Sequence, residues 1–232
     1  RRSPSIVRPM AFVAWAATQG ADVLVGRAFE TSAGLSYQPI SHLLRQRLER
    51  ENAPEDLLAD LWLAQLTRLL PELRERYPDL PEPTQEEATA RQHLFEAVTR
   101  LGKALAQRRP LVLLIEDWHW ADSASLDMLH YASQRWTEEK APILVLLTLR
   151  QEALAESPAL QSWLNQLKRT FSAVQLTLGA LSQPETEQLV QVLVTPAADR
   201  TASADSALAD TATQSALAQF SHWLYTETEG QP

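Results

Sequence analysis

The sequence predicts an α/β fold built on a mostly parallel sheet, with helices packed over it. Three observations carry that expectation. Helix-period stretches alternate with short strand-like runs along the chain. Two of those runs, 111–115 and 143–147, are apolar at every position. Long amphipathic segments lie between them. A strand without polar positions is one buried on both faces, as happens when crossover helices cover a parallel sheet.

Each element follows from its own pattern. Residues 1–9, RRSPSIVRP, have no period and are expected to be irregular. Met10 to Gln19 is helical, with Gly20 as its stop. Ala21 to Phe29 is a strand by its β-branched and apolar content. A helix over 40–50 follows, and then one over 54–70, whose Leu57, Leu58, Leu61, Trp62, Leu66, Leu69 and Leu70 recur at spacings of three and four. Pro71, Pro78, Pro81 and Pro83 break the chain before a long helix over 85–107 that buries Leu94, Phe95, Val98, Leu101 and Leu105. Strand 111–115, helix 123–136, strand 143–147 and helix 158–168 come next. Val174 to Leu178 alternates as VQLTL and predicts a fourth strand, half exposed or near an edge. Ser182 and Pro184 open a helix that runs to 194. Residues 195–214, rich in Ala, Ser, Thr and Asp with almost no large apolar anchor, predict a mobile linker or weak helix, and 216–225 resumes an amphipathic helix. The resulting organisation is an irregular segment 1–9, a core 10–194, a linker 195–214 and the start of a helical region at 215–232.

Composition narrows the chemistry. The chain has 232 residues, enough for a large domain with its own core. There is no cysteine, which excludes disulfides, thiolate metal sites and cysteine nucleophiles. The formal charge of -8 argues against broad nucleic-acid binding, and no apolar run approaches the ~20 residues of a membrane span. A cytoplasmic location is the expectation. Met10 is the first methionine, and the chain stops at Gly230, Gln231 and Pro232 directly after an amphipathic stretch, so both ends read as cut from something longer.

The most informative segment is 111–127, LVLLIEDWHWADSASLD. Ligands of open parallel sheets bind beyond the carboxyl ends of the strands, where Glu116 and Asp117 emerge. Two adjacent carboxylates leaving a buried strand are costly unless they meet a cation, water or hydrogen-bond donors. In nucleotide hydrolases such a pair organises hydrated magnesium and polarises the attacking water. The plainer alternative is that acidic residues after a strand merely cap the next helix, a role that suits Asp122. His119 and Trp120 have a packing alternative, and Trp62 and Trp163 sit on apolar helix faces as core residues.

IEDWHWADSASLDML resembles the Walker B region of the signal-transduction ATPases with numerous domains, in the subgroup found in bacterial transcriptional activators and cyclase- or kinase-linked regulators. The matching residues are Glu116, Asp117, His119, Trp120, Ala121, Asp122, Ser125, Leu126 and Asp127. LVGRAFE at 24–30 with Tyr37, Gln38, Pro39 and Ile40 is similar to the family's second strand and its Tyr-x-Pro segment. LLTLR at 146–150 resembles its sensor strand, 178–182 with Glu185 its fifth strand and following helix, and WLYTETEGQP at 223–232 the start of its Gly-x-Pro lid motif. The resemblance implies a P-loop ATPase-like three-layer sandwich. It implies that Glu116 binds magnesium through water, that Asp117 positions the hydrolytic water, and that Arg150 senses the terminal phosphate or holds the acidic pair. ATP and Mg²⁺ are the implied cofactors. Other domains of the same polypeptide, or further copies of it, are the implied partners, with no DNA or membrane contact from this segment.

One family feature is not found. The Gly-rich loop ending in Gly-Lys-Ser/Thr, which cradles the phosphates, has no counterpart. The only Gly-Lys pair, Gly102–Lys103, lies inside a helical pattern without the preceding glycines. The expected fold is therefore partial, with the first strand and the phosphate loop missing. The expected function is a fragment of an ATP-driven regulatory switch in a signalling or transcription-regulating protein, inactive alone. A non-catalytic protein-interaction scaffold is the alternative, and direct DNA binding is a weaker third.

Overall fold

The computed structural model describes residues 7–30, 36–49, 57–194 and 207–229. Their contacts divide the chain into one unit spanning Ile6–Val174 and another containing Gln175–Pro232.

The larger unit is built on three parallel strands, β1 (Asp22–Arg27), β2 (Leu111–Glu116) and β3 (Ile143–Leu147), in the order β1-β2-β3. The register runs from Asp22 opposite Leu111 to Arg27 opposite Glu116, and from Leu111 opposite Ile143 to Ile115 opposite Leu147. β2 is therefore central, and every one of its residues is buried. That is the outcome its unbroken apolar run predicts.

The connections carry α2 (Gln38–Glu49), α3 (Asp60–Leu66), α4 (Glu72–Arg76) and α5 (Glu87–Arg108) between β1 and β2, and α6 (Ser123–Glu138) between β2 and β3. Successive parallel neighbours that advance in one direction place crossovers of one hand on one face. On that face Leu24, Leu111, Leu113 and Ile115 join Leu43 and Leu44 of α2, Val98, Leu101 and Leu105 of α5, and Met128, Leu129 and Ala132 of α6 in one core cluster. Ile143, Val145 and Leu147 of β3 pack against the same cluster. The intervening Val112 and Leu114 point to the opposite side and are buried outside that cluster. There α1 (Val7–Thr18) packs on β1 and β2, burying Val13 and Ala16.

Gly102 answers the question raised by the Gly-Lys pair. It lies inside α5, and a Cβ placed on it would stand 2.6 Å from Cζ2 of Trp136. Trp136 lies across α5 and donates its Nε1–H to the Thr99 carbonyl at 2.9 Å. Lys103 pairs with Glu139. The glycine serves helix–helix approach, and the lysine is engaged at the protein surface.

After β3, α7 (Gln151–Glu156) and α8 (Pro158–Thr170) follow. The smaller unit holds α9 (Gln183–Val194) and α10 (Ala207–Thr228), which pack on each other. α9 starts as the Ser182–Pro184 signal predicts. The Ser182 N–H and hydroxyl both donate to Glu185 Oε2 at 2.8 Å, one half of a capping box.

Several sequence expectations are corrected. Residues 7–9 are helical, because α1 begins before Met10. The single helix expected over 54–70 contracts to α3, with Leu57 and Leu58 buried ahead of it and Thr67 closing it, while 54–56 lie outside the described residues. α7 had no clear sequence signal. The VQLTL strand does not form. Val174 and Leu176 are 83% and 81% exposed, and among the described residues the sheet has three strands rather than four. Alternation supplies a strand's faces, but a strand also needs a neighbour for its backbone groups. Residues 207–214, expected as a mobile linker or weak helix, take the helical alternative as the first turns of α10, and 195–206 lie outside the described residues.

Candidate functional site at the carboxyl edge of the central strand

The site grows from the end of β2. Glu116 closes the strand with only 9% of its surface exposed, and its Oε1 is buried without a hydrogen-bond partner. A carboxylate so placed retains an unmet demand for a cation or a donor. Its own carbonyl accepts from the Ala28 N–H at 3.0 Å, extending the β1–β2 ladder past the last paired residues.

Asp117 turns the chain out of the sheet. It adopts the left-handed conformation, φ 54° and ψ 37°, which Asp tolerates better than most residues. Its N–H donates to Thr148 Oγ1 at 3.0 Å, and the next N–H, that of Trp118, donates to the Thr148 carbonyl at 2.9 Å. Its carboxylate receives Arg27, with Nε at 2.9 Å and Nη2 at 2.7 Å from the same Oδ2. Arg27 also lies over the Phe29 ring, 5.7 Å from its centroid.

Trp118, His119 and Trp120 form a single 3₁₀ turn. Trp118 is fully buried against Trp163, with ring centroids 5.8 Å apart, and belongs to the core. The Trp163 Nε1–H in turn donates to the Leu126 carbonyl at 3.0 Å, the packing role expected of it. His119 tilts against Trp120 at 4.9 Å, and neither ring nitrogen has a partner. Burial pushes the His119 pKa below the ordinary histidine value; Asp117 opposes that shift and Arg150 adds to it. The ring is thus close enough to both charges to feel them.

Asp122 then caps α6. Its Oδ1 accepts the Ser125 N–H at 3.0 Å, and its Oδ2 accepts the Ser125 hydroxyl at 2.6 Å and the Tyr37 N–H at 3.1 Å. The cap expected from sequence therefore has a second task. It holds Tyr37, another left-handed residue, at the entrance of α2.

The three residues singled out from the sequence thus gather on one edge. Glu116 and Asp117 are adjacent, and Arg150, exposed at the N-cap of α7, lies within electrostatic reach of His119. The ion-pair partner of Asp117 is Arg27 and not Arg150. Sequence reasoning missed Arg27 and Thr148. The signal for Arg27 was its place as the last residue of a strand parallel to β2, which sets it opposite Glu116.

The acidic half of this edge suits a hydrated divalent cation. Among the described residues no three His, Cys, Asp or Glu side chains converge on one point, so such a cation would rest on Glu116 with water and ligand oxygens completing its shell. The phosphate-cradling half has no counterpart in the described residues, and no hydrolytic step follows from these side chains alone.

A parallel α/β sheet with an acidic pair leaving the central strand at its ligand edge is consistent with a P-loop-like nucleotide-binding domain. The sequence model of the AAA ATPase domain family matches residues 11–146, and the chain belongs to that family. The match covers β1, β2, the acidic turn and β3 up to Leu146. No curated protein and no solved structure matches the chain. Among the described residues no helix is long and apolar enough to cross a membrane.

Proposed function

We propose that the chain is the core of an ATP-driven regulatory switch of the kind found in signal-transduction ATPases with numerous domains, within a signalling or transcription-regulating protein. In this reading residues 10–194 are the ATPase-like core, 195–214, which include the first turns of α10, lead on from it, and 215–232 begin a helical lid. With ATP and magnesium bound in the intact site, Glu116 would hold the hydrated ion, Asp117 would orient the attacking water, and Arg150 would contact the terminal phosphate. The partners are further domains of the same polypeptide or further copies of it, and the compartment is the cytoplasm.

The observation that carries the reading is the buried, unpartnered Oε1 of Glu116 beside the Arg27–Asp117 pair, at the edge where parallel sheets bind ligands. The phosphate loop and the strand before it are not in this chain on this reading. Support comes from β3, which pairs only with β2 among the described residues and leaves Leu144 43% exposed. The chain alone therefore does not turn over ATP. Magnesium-dependent ATP turnover by the purified chain, abolished by Glu116→Gln, would refute that statement.

A second reading, a non-catalytic scaffold for protein partners, draws on the exposed Phe12–Trp15 pair of α1, whose rings lie tilted to each other with centroids 5.7 Å apart. Calorimetric titration separates the two. Binding of ATP–Mg to the chain, weakened by Glu116→Gln, favours the switch; a protein partner captured without nucleotide favours the scaffold.

A further inference from the structure

We infer that Thr148 is the positioning residue for Asp117. The inference rests on the reading of Asp117 as the water-orienting carboxylate. Thr148 follows directly on β3, and its own N–H donates back to the Ile115 carbonyl at 3.1 Å, so it is tied to β2 as the last rung of the ladder. From that fixed place one residue offers two acceptors to two successive donors. Its hydroxyl oxygen takes the Asp117 N–H and its carbonyl takes the Trp118 N–H, at 3.0 and 2.9 Å.

Between those donors lies the one residue of the turn with positive φ. A left-handed residue persists where its surroundings over-determine it, and Thr148 supplies that determination. The direction of the Asp117 carboxylate depends on it, since the left-handed turn is what brings Oδ2 to Arg27. The other side of the same turn is held by burial of Trp118, which leaves the Thr148 hydroxyl as the part that addresses Asp117 alone. Arg150 lies two residues further along the same strand exit. Thr148 thus joins Asp117 to the segment that carries Arg150.

The test uses the chain as it stands and reads the ring titration of His119 by NMR, assigned with His119→Gln among the five histidines. The Asp117 carboxylate raises the His119 pKa while burial and Arg150 lower it. Thr148→Val keeps the shape and removes the acceptor. It is expected to lower the His119 midpoint towards that of Asp117→Asn and to speed exchange of the Asp117 amide roughly fivefold to tenfold, the loss of about one net hydrogen bond. Thr148→Ser, which keeps the hydroxyl, is expected to match the parent in both. Added to Asp117→Asn, Thr148→Val is expected to move His119 no further.

An unchanged His119 midpoint in a folded Thr148→Val protein overturns the inference, as does an equal shift in the Asp117→Asn background. Should Thr148→Val fail to fold, the serine variant still decides, because loss of amide protection there overturns it too. None of these readouts needs nucleotide, so absence of ATP–Mg binding would count against the switch and leave the positioning role standing.

Discussion

The two faces of the sheet share the same strands and have different fates. On one, Leu24, Leu111, Leu113 and Ile115 meet α2, α5 and α6 in a continuous core. On the other, Val112 and Leu114 are buried with α1 over β1 and β2, while Leu144 on β3 is 43% exposed. Composition does not separate them, since β2 and β3 alternate Leu, Val and Ile on both sides. The difference comes from connectivity. Crossovers of one hand between strands that advance one way all land on the same face. The opposite face must be covered by chain entering from elsewhere, and α1 supplies part of that cover. The Glu116–Asp117 edge lies at the end of the central strand that both faces share.

The sharpest way to break this comparison is a matched pair of truncations. Leu113→Ala removes a buried side chain from the packed face and is expected to cost about 2–5 kcal/mol in denaturant unfolding, whereas Leu144→Ala is expected to cost less than about 1 kcal/mol. Equal losses would mean that the second face is as well packed as the first.

Next in size is Gly102→Ala. A methyl 2.6 Å from Trp136 forces α5 and α6 apart and is expected to cost about 1–3 kcal/mol. A neutral result in thermal unfolding would show that the packed face yields more than its burial suggests.

A third change tests the join between the packed face and the site. Asp122→Ala removes the α6 cap and the acceptor for Tyr37, with an expected loss of about 1–2 kcal/mol, and Asp122→Asn is expected to recover part of it. Identical unfolding of the alanine and asparagine variants would sink that account.

The smallest effect on stability is expected from Arg27→Gln, at or below about 1 kcal/mol, because the pair with Asp117 is partly solvated. Calorimetry or chemical denaturation would detect a larger loss.

Acid sharpens the picture in direction. The folded His119 pKa lies below the ordinary value of 6.5, so the unfolded chain binds more protons as pH falls through that value. Stability contributed by neutral His119 is present above about pH 6.5 and is lost on acidification until the lowered folded pKa is passed. The window closes in His119→Gln, whose stability is expected to vary less between pH 7 and 5 than the parent's. A parallel pH profile for the two proteins would remove His119 from the acid response.

Much of the core was legible because period and burial are coupled. The apolar run at 111–115 and the helix faces at 94–105 and 126–136 are buried or packed on the core, whereas the run at 143–147 packs only Ile143, Val145 and Leu147 there and leaves Leu144 43% exposed. VQLTL failed as a strand for the same reason that β2 succeeded. Alternation reports which side chains want cover, and pairing needs a neighbouring edge. The site was legible in its carboxylates, whose cost at a strand end is local. It was not legible in Arg27, which comes 90 residues earlier in the chain, or in Thr148, 31 residues later, because both reach Asp117 only through strand register.

By itself the sequence determined most of the helical segments, that β2 is buried, and that an acidic pair leaves it. These are properties of single segments, set by side-chain transfer and backbone geometry. Only the tertiary structure decided that β2 lies in the middle, that Arg27 rather than Arg150 meets Asp117, and that the Asp117 N–H meets the Thr148 hydroxyl. Those depend on which edges pair and in what register, and the free energy of pairing belongs to two segments at once.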